Sequence, residues 1–414
     1  MAAAGIICEY NPFHKGHLYH IEQTRLLTGA DDIICVMSGN YVQRGEPAIL
    51  DKWLRTSMAL EAGASLVLEL PTYYACASAE FFAFGAVSLL QHTGITDFLC
   101  FGCEEDRSHI FQAAAAVLYE EPAPYRSALK TYLSQGFGFA AARARALHHC
   151  LSQQYPNVNW QSLIEHPNNI LAMEYYKALL RLHSPIQPVP VQRMSGGYSD
   201  PDLNHSMPSA SAIRLGLARN EDVLSCLPPM TAITLQDAIS QGLGPVFFSD
   251  WSADFYYALS QHTPKTLHSI ADMAEGLENR LFRQAKTIWN LDELVAAISC
   301  KRYPYARIRR ILLNILLNIS QERRQQLSFA EGPAYLRILG FRKEREGLLH
   351  RLSQSASLPV ITNLARQFSS LDEPARSMLE DEIRFTDLYM GHMPNKAKVR
   401  RGLDLTQPLL IWRS

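Results

Sequence analysis

Apolar residues in the first half of the chain fall in short unbroken runs rather than in alternation. Gly5-Ile6-Ile7-Cys8, Ile33-Ile34-Cys35-Val36-Met37, Ser65-Leu66-Val67-Leu68-Glu69-Leu70 and Asp97-Phe98-Leu99-Cys100-Phe101 all have strand length. Runs of this kind predict strands buried on both faces. Between them lie stretches with helical character: Leu18 to Leu27, Lys52 to Gly63, Ser78 to Gln91 and Ile110 to Leu118. Strand alternating with helix predicts an α/β fold with a parallel sheet covered on both faces, and in such folds ligands bind beyond the carboxyl ends of the strands. The loops expected there are residues 9–17, 38–46, 71–74 and 102–106. Residues 127–154 and 170–182 read as helical again, and a further strand, Ile186 to Val191, carries prolines that suit a sheet edge.

The texture changes around Cys226-Leu227-Pro228-Pro229. Beyond it the chain reads mostly helical: residues 253–261, 266–273, 276–285, 291–299, 308–319 and 347–351. This predicts a parallel-sheet domain over 1–225 and a mainly α-helical domain over 226–414. No internal repeat, low-complexity tract or long linker is visible.

Composition narrows the function classes. The chain has 414 residues, 47% hydrophobic and 19% charged, as in ordinary globular proteins. A net charge of −1 excludes a general polyanion binder, so any nucleic-acid surface must be a local patch. No apolar run approaches membrane-spanning length, and Met1-Ala2-Ala3-Ala4-Gly5 lacks the features of a secretory signal. With eight scattered cysteines, a cytoplasmic protein with reduced thiols is expected. Cys100-Phe101-Gly102-Cys103 is a lone CxxC after an apolar run; it reads as a strand end, with a metal or redox pair as the alternative.

The most informative stretch is Cys8-Glu9-Tyr10-Asn11-Pro12-Phe13-His14-Lys15-Gly16-His17-Leu18-Tyr19-His20. It joins a buried strand to a helix start, where unpaired backbone N–H groups and the helix dipole attract phosphate. His14 and His17, three apart, can aim two imidazole donors at one anion. Gly16 has no Cβ, so a nucleobase or ribose can come close to the backbone. Four further segments suit the same site. Ser38-Gly39-Asn40-Tyr41-Val42-Gln43-Arg44-Gly45-Glu46-Pro47 is a polar loop after a strand. In Pro167-Asn168-Asn169, one asparagine is expected to cap a helix and the other to read a base edge. Arg193-Met194-Ser195-Gly196-Gly197 suits a phosphate, and Ser209 or Ser211 can cap a helix that carries Arg214 on its first turns. Glu104-Glu105-Asp106 reads as a solvated helix start. In the second half, Lys301, Arg302, Arg307, Arg309 and Arg310 surround Tyr303 and Tyr305 without an acid, as a surface for a nucleic-acid backbone would. Basic clusters at Arg337, Arg342, Lys343 and Arg345, and at Lys396, Lys398, Arg400 and Arg401, are fainter.

His14-Lys15-Gly16-His17 with Ser209-Ala210-Ser211-Ala212-Ile213-Arg214 resembles the HxGH nucleotidyltransferase superfamily. The fuller text, Glu9 to His17, Met37 to Ala48, Pro167 to Leu171, and Lys301-Arg302-Tyr303 with Ala306-Arg307-Ile308, resembles the bacterial tRNA(Met) cytidine acetate ligase family. The similarity runs nearly full length and is densest in the first half. It implies a Rossmann-like nucleotidyltransferase domain followed by a helical tRNA-binding domain. It also implies an enzyme that activates acetate with ATP as acetyladenylate and acetylates the wobble cytidine of elongator tRNA(Met). ATP binding is then expected at Ile7, Cys8, Glu9, Tyr10, Asn11, Pro12, Phe13, His14, Lys15, Gly16, His17, Leu18, Tyr19 and His20, and at Gly102, Asn169 and Arg193. Met194, Ser209, Ser211 and Arg214 are added from the residues themselves, with Mg²⁺ as a helper. Cys103 stands where the family pattern leads one to expect a small hydroxyl residue.

Both substrates of such a first step are anions, so His14 and His17 are expected to act as catalytic donors by stabilising charge on the phosphates. Carboxylate attacks directly, and no thiol or serine is arranged for an acyl-enzyme route. The alternative reading is an adenylyl- or cytidylyltransferase acting on a small phosphorylated metabolite.

Overall fold

A computed structural model describes residues 2–104, 107–193, 207–274, 276–300 and 302–413. The apolar runs of the first half become β1 (Ala3–Cys8), β2 (Asp32–Ser38), β5 (Leu66–Leu70), β6 (Phe98–Cys103) and β7 (Gln187–Gln192), with a small hairpin of β3 (Tyr41–Val42) and β4 (Glu46–Pro47) after β2. Later strands are β8 (Leu336–Arg342), β9 (Val360–Ile361) and β10 (Leu410–Trp412). The main sheet runs β10-β8-β5-β2-β1-β6-β7, with β9 beside β8. The stretch from β5 to β7 is parallel throughout, and the proline-bearing β7 lies at the edge, as its sequence predicts.

Burial explains why these strands do not alternate. Ile34, Val36, Leu66 and Leu68 enter one core, while Ile33, Cys35, Met37 and Val67 enter another on the opposite side. Side chains alternate across a strand, so a sheet with two cores needs apolar residues at every position.

The second half does not form a separate, sheet-free layer. β8 pairs antiparallel with β5, and β10 runs parallel to β8, so the expected division at 225/226 does not isolate the sheet. A buried ion cluster crosses the same division. Lys52 Nζ lies 2.6 Å from both Glu69 Oε1 and Asp404 Oδ1, and Arg337 lies 3.1 Å from Glu69 and 2.6 Å from Asp404. Arg337, expected in a basic cluster, is therefore part of the core. Nearby, Glu382 accepts hydrogen bonds from the backbone N and hydroxyl of Thr72 at 2.6 and 2.8 Å.

Other expectations shift as well. The stretch 127–154 is two helices, Ala123–Ser134 and Phe139–Leu151, separated where Gly136 takes φ = 86°. Only Pro264–Leu267 is helical in the stretch expected over 266–273. The 18-residue helix Glu373–Met390 is not predicted by the apolar pattern. Its buried face carries Asp381, Glu382 and Thr386, and these polar residues blur the apolar period.

Candidate functional site

The sheet reverses its winding at β1: β2 and β5 lie on one side of it, β6 and β7 on the other. Such a switch point leaves a crevice beyond the carboxyl ends of the strands. A cavity of about 200 Å³ opens there, between Ile7 and Cys8 of β1 and Phe101 and Gly102 of β6.

His14 is the N-cap of the helix Lys15–Thr28. Its Nδ1 accepts the N–H of Gly16 at 3.0 Å, and Nδ1 of His17 accepts the N–H of His14 at 3.3 Å. These two bonds form a capping box made of imidazoles. The rings lie 3.8 Å apart, tilted by 32°. Burial, with Arg193 and Arg214 nearby, pushes the His14 pKa down to about 3. Burial and Arg193 push His20 down to about 4. His17 is held well below the usual histidine range by burial, His14 and Arg193. Each imidazole of the pair is thus neutral, and accepting at Nδ1 leaves the proton on Nε2. The pair is a set of fixed neutral donors rather than two cations.

Gly16 has a second reason to lack a side chain: a Cβ there would sit 2.8 Å from Cε1 of His14. The space expected for a ligand is shared with the His14 ring.

Of the other residues expected at this site, Glu9, Tyr10, Tyr19, His20, Arg193, Ser209, Ser211 and Arg214 line the cavity. Glu9 Oε1 accepts the N–H of Gln43 at 2.8 Å, and burial raises its pKa. Tyr10 stands edge-on to His17 with centroids 4.9 Å apart. Arg193 donates its backbone N–H to Cys103 O, and its side chain crosses Gly102, where a Cβ would lie 3.3 Å from Arg193 Cγ. Ser209, not Ser211, caps the helix Ala210–Ala218 by accepting the N–H of Ala212 at 3.1 Å. Arg214 donates through Nη1 to Asn11 O at 2.8 Å and lies 3.1 Å from Glu46.

Asn11, Pro12, Phe13, Lys15, Leu18 and Asn169 do not line the cavity. Asn11 is buried and ties two loops together, its Oδ1 accepting the N–H of Ile49 at 2.8 Å. Phe13 is core, Leu18 packs against it, and Lys15 is exposed. Asn168 lines the cavity instead of Asn169, which holds the backbone of Glu104 at 3.3 Å. Neither asparagine caps the helix Pro167–Arg181; His166 occupies that position. Met194 and its glycine-rich loop lie outside the described residues. Cys103 is buried and absent from the cavity lining, its Sγ 3.8 Å from Val191 O. Cys100 and Cys103 are three apart on one strand and so point to opposite faces, which rules out the paired-ligand alternative.

The cavity also contains Gln43 and Arg44, from a loop singled out in the sequence, Leu171, from the Pro167–Leu171 motif but with no role expected of it, and Phe82 and Tyr175, which the sequence does not mark. These last come from helices whose apolar faces give no sign of whether they meet core or ligand. Among the described residues that line the cavity, Glu9 is the one carboxylate. Among the described residues, no group of three or more His, Cys, Asp or Glu could hold a metal ion.

The basic segment splits. Arg302 is exposed, over the ring of Tyr303 at 5.5 Å. Arg307 is half-buried and donates to Asp272 O at 3.3 Å. Arg309 and Arg310 do not present a free cationic face. Arg309 pairs with Glu46 and Asp292, and Arg310 donates to Gln43 O at 3.3 Å. They face the loop that carries Gln43 and Glu46 because the helix Tyr305–Leu317 packs on β4. Lys301 lies outside the described residues.

Residues 1–403 match the family described as HIGH Nucleotidyl Transferase. A tRNA(Met) cytidine acetate ligase of Acetivibrio thermocellus is 40% identical over 99% of this chain and 100% of its own length. One of Halothermothrix orenii is 39% identical over 99% of each. The crystal structure of Thermotoga maritima TmcAL in an apo form superposes with a TM-score of 0.94 at 31% identity, covering 100% of both chains. The form bound with alpha-thio ATP gives 0.92 at 32% identity, again over 100% of both. The chain belongs to the tRNA(Met) cytidine acetate ligase family of HIGH nucleotidyl transferases.

Proposed function

We propose that this protein activates acetate with ATP and acetylates N4 of the wobble cytidine of elongator tRNA(Met), in the cytoplasm. An acetate oxygen attacks the α-phosphate, the bond to the β-phosphate breaks, and pyrophosphate leaves. The cytidine amino group then attacks the acetyl carbonyl, AMP leaves and the nitrogen loses a proton.

The observation that carries this reading is the pair of neutral imidazoles at a helix start, each with Nδ1 committed to a backbone N–H. Their Nε2–H groups are fixed before phosphate charge moves, and preorganised donors of this kind lower a barrier without reorganising. Arg193 and Arg214 add positive charge on the same cavity. Phe82, Leu171 and Tyr175 offer an apolar wall for the base. A Mg²⁺ ion would arrive with the ATP phosphates, and Glu9 is the carboxylate among the described lining residues that could approach it. It would supply charge neutralisation. Arg302 and Arg307 remain candidates for RNA phosphate, whereas Arg309 and Arg310 point from their helix to the loop that carries Gln43 and Glu46.

The test is to incubate the protein with ATP, Mg²⁺, labelled acetate and elongator tRNA(Met). The expected result is label in N4-acetylcytidine, with one pyrophosphate released per acetyl group. Adenylylation of a phosphorylated metabolite, without label in tRNA, would replace this reading by a small-molecule nucleotidyltransferase.

A further inference from the structure

Glu46 sits on β4, buried, between the two halves of the molecule. One oxygen, Oε1, is 3.1 Å from Nη2 of Arg214, the arginine that lines the cavity. The other, Oε2, is bonded by Nη1 of Arg309 from the helix Tyr305–Leu317. Arg309 is itself fixed by Asp292 and by the rings of Phe248 and Tyr305, each 4.9 Å from its guanidinium carbon. The same helix grips the loop from above: Arg310 donates to Gln43 O, and Gly45, at φ = 77°, lies so close that a Cβ would fall 2.3 Å from Arg310 N. Gln43 and Arg44, next in that loop, also line the cavity.

We propose that Glu46 is a positioning residue which holds Arg214 toward the ATP phosphates, and that Arg309 locks Glu46 in place from the second half of the chain. Arg309 then serves ATP rather than RNA, although it lies in the basic segment. The geometry suits the task. One carboxylate has two oxygens, and here each faces a different guanidinium. Asn11 O binds the other terminal nitrogen of Arg214, so the arginine is held at two points before any ligand arrives. A guanidinium fixed in this way loses less freedom on binding phosphate than one swinging in solvent. This inference rests on the phosphate role assigned to Arg214 above.

Calorimetry with ATP in the absence of RNA tests it on the full chain. Glu46→Gln is expected to weaken ATP binding by roughly five- to twentyfold, the scale of losing part of a charge-assisted contact. Adenosine, which has no phosphate, should bind as before. Arg309→Lys should shift ATP affinity in the same direction. In an Arg214→Ala background, Glu46→Gln should change ATP affinity by less than about twofold, because residues acting through one partner are not additive. Equal penalties in both backgrounds, or an equal loss for adenosine, would overturn the positioning role. So would an Arg309→Lys variant that binds tRNA(Met) poorly and ATP normally. Wild-type ATP affinity in Arg214→Ala alone would overturn the phosphate role itself and the inference with it. That failure is recognisable because it appears before Glu46 is touched.

Discussion

Replacing His14 by asparagine separates two roles that the structure combines in one ring. Nδ1 of His14 caps a helix, and in the proposed reaction its Nε2–H acts on phosphate. Asparagine is among the best N-caps and can accept the same Gly16 N–H, but it has no donor where Nε2–H lies. His14→Asn should therefore keep the fold and lose the chemistry. Losing one preorganised donor costs about 10²–10³ in rate, or about 2.7–4 kcal/mol of barrier. His14→Ala loses the donor and also the cap, a further cost of about 1 kcal/mol in stability. At about 2.1 cal/mol/K of unfolding entropy per residue, that cap loss lowers the Tm of a chain this long by only about 1 °C. Pyrophosphate release with ATP, acetate and tRNA gives the rate, and scanning calorimetry gives the Tm. The expected pattern is equal rate loss in both variants, with a lowered Tm in alanine alone. Gly16→Ala is the companion case: its Cβ, 2.8 Å from His14 Cε1, pushes the ring aside and should reduce the rate while the imidazole remains. A near-normal rate in His14→Asn would refute the donor argument. An equal Tm loss in His14→Asn and His14→Ala would refute the cap.

Two predictions concern the join between the halves. A fragment of residues 1–225 loses β8, which covers the β5 edge, and loses Arg337 and Asp404, the partners of Lys52 and Glu69. Lys52 and Glu69 keep each other but lose the partners that complete the cluster, and the β5 edge is uncovered, so this fragment should show no cooperative unfolding transition by circular dichroism; a cooperative one would contradict the shared-sheet account. Burial, with Glu69 nearby, pushes the Glu382 carboxyl up to about 8. Between about pH 4.5 and 8 the native state keeps a proton that the unfolded chain releases, so stability falls as pH rises, by at most about 1.4 kcal/mol per unit. Denaturant titrations at several pH values should show this loss, and Glu382→Gln should flatten it; an unchanged slope would place the proton elsewhere.

The sequence by itself determined the parallel half of the sheet, because strands buried on both faces must be apolar at every position. It also marked the strand-to-helix junction, since His14 and His17 must be close in sequence to share one helix start. Ser209, Arg214, Arg193 and Gly102 were legible for the same local reason: each belongs to a short strand end or helix start. Tertiary structure alone decided what distant residues do with each other. β8 is a short apolar run in a helical context, and nothing near it in the chain shows that it completes an edge hundreds of residues away. Asn168 and Asn169 are equivalent in composition, and only the packing of their helix against β6 sends the first to the cavity and the second to the backbone of Glu104. Arg309 reads as one cation among five, yet it is bound by Glu46 and Asp292. A charge in a sequence has a sign but no partner. Its role depends on which opposite charge the fold brings within reach, and for Arg309 one of the two, Glu46, lies in the other half of the molecule.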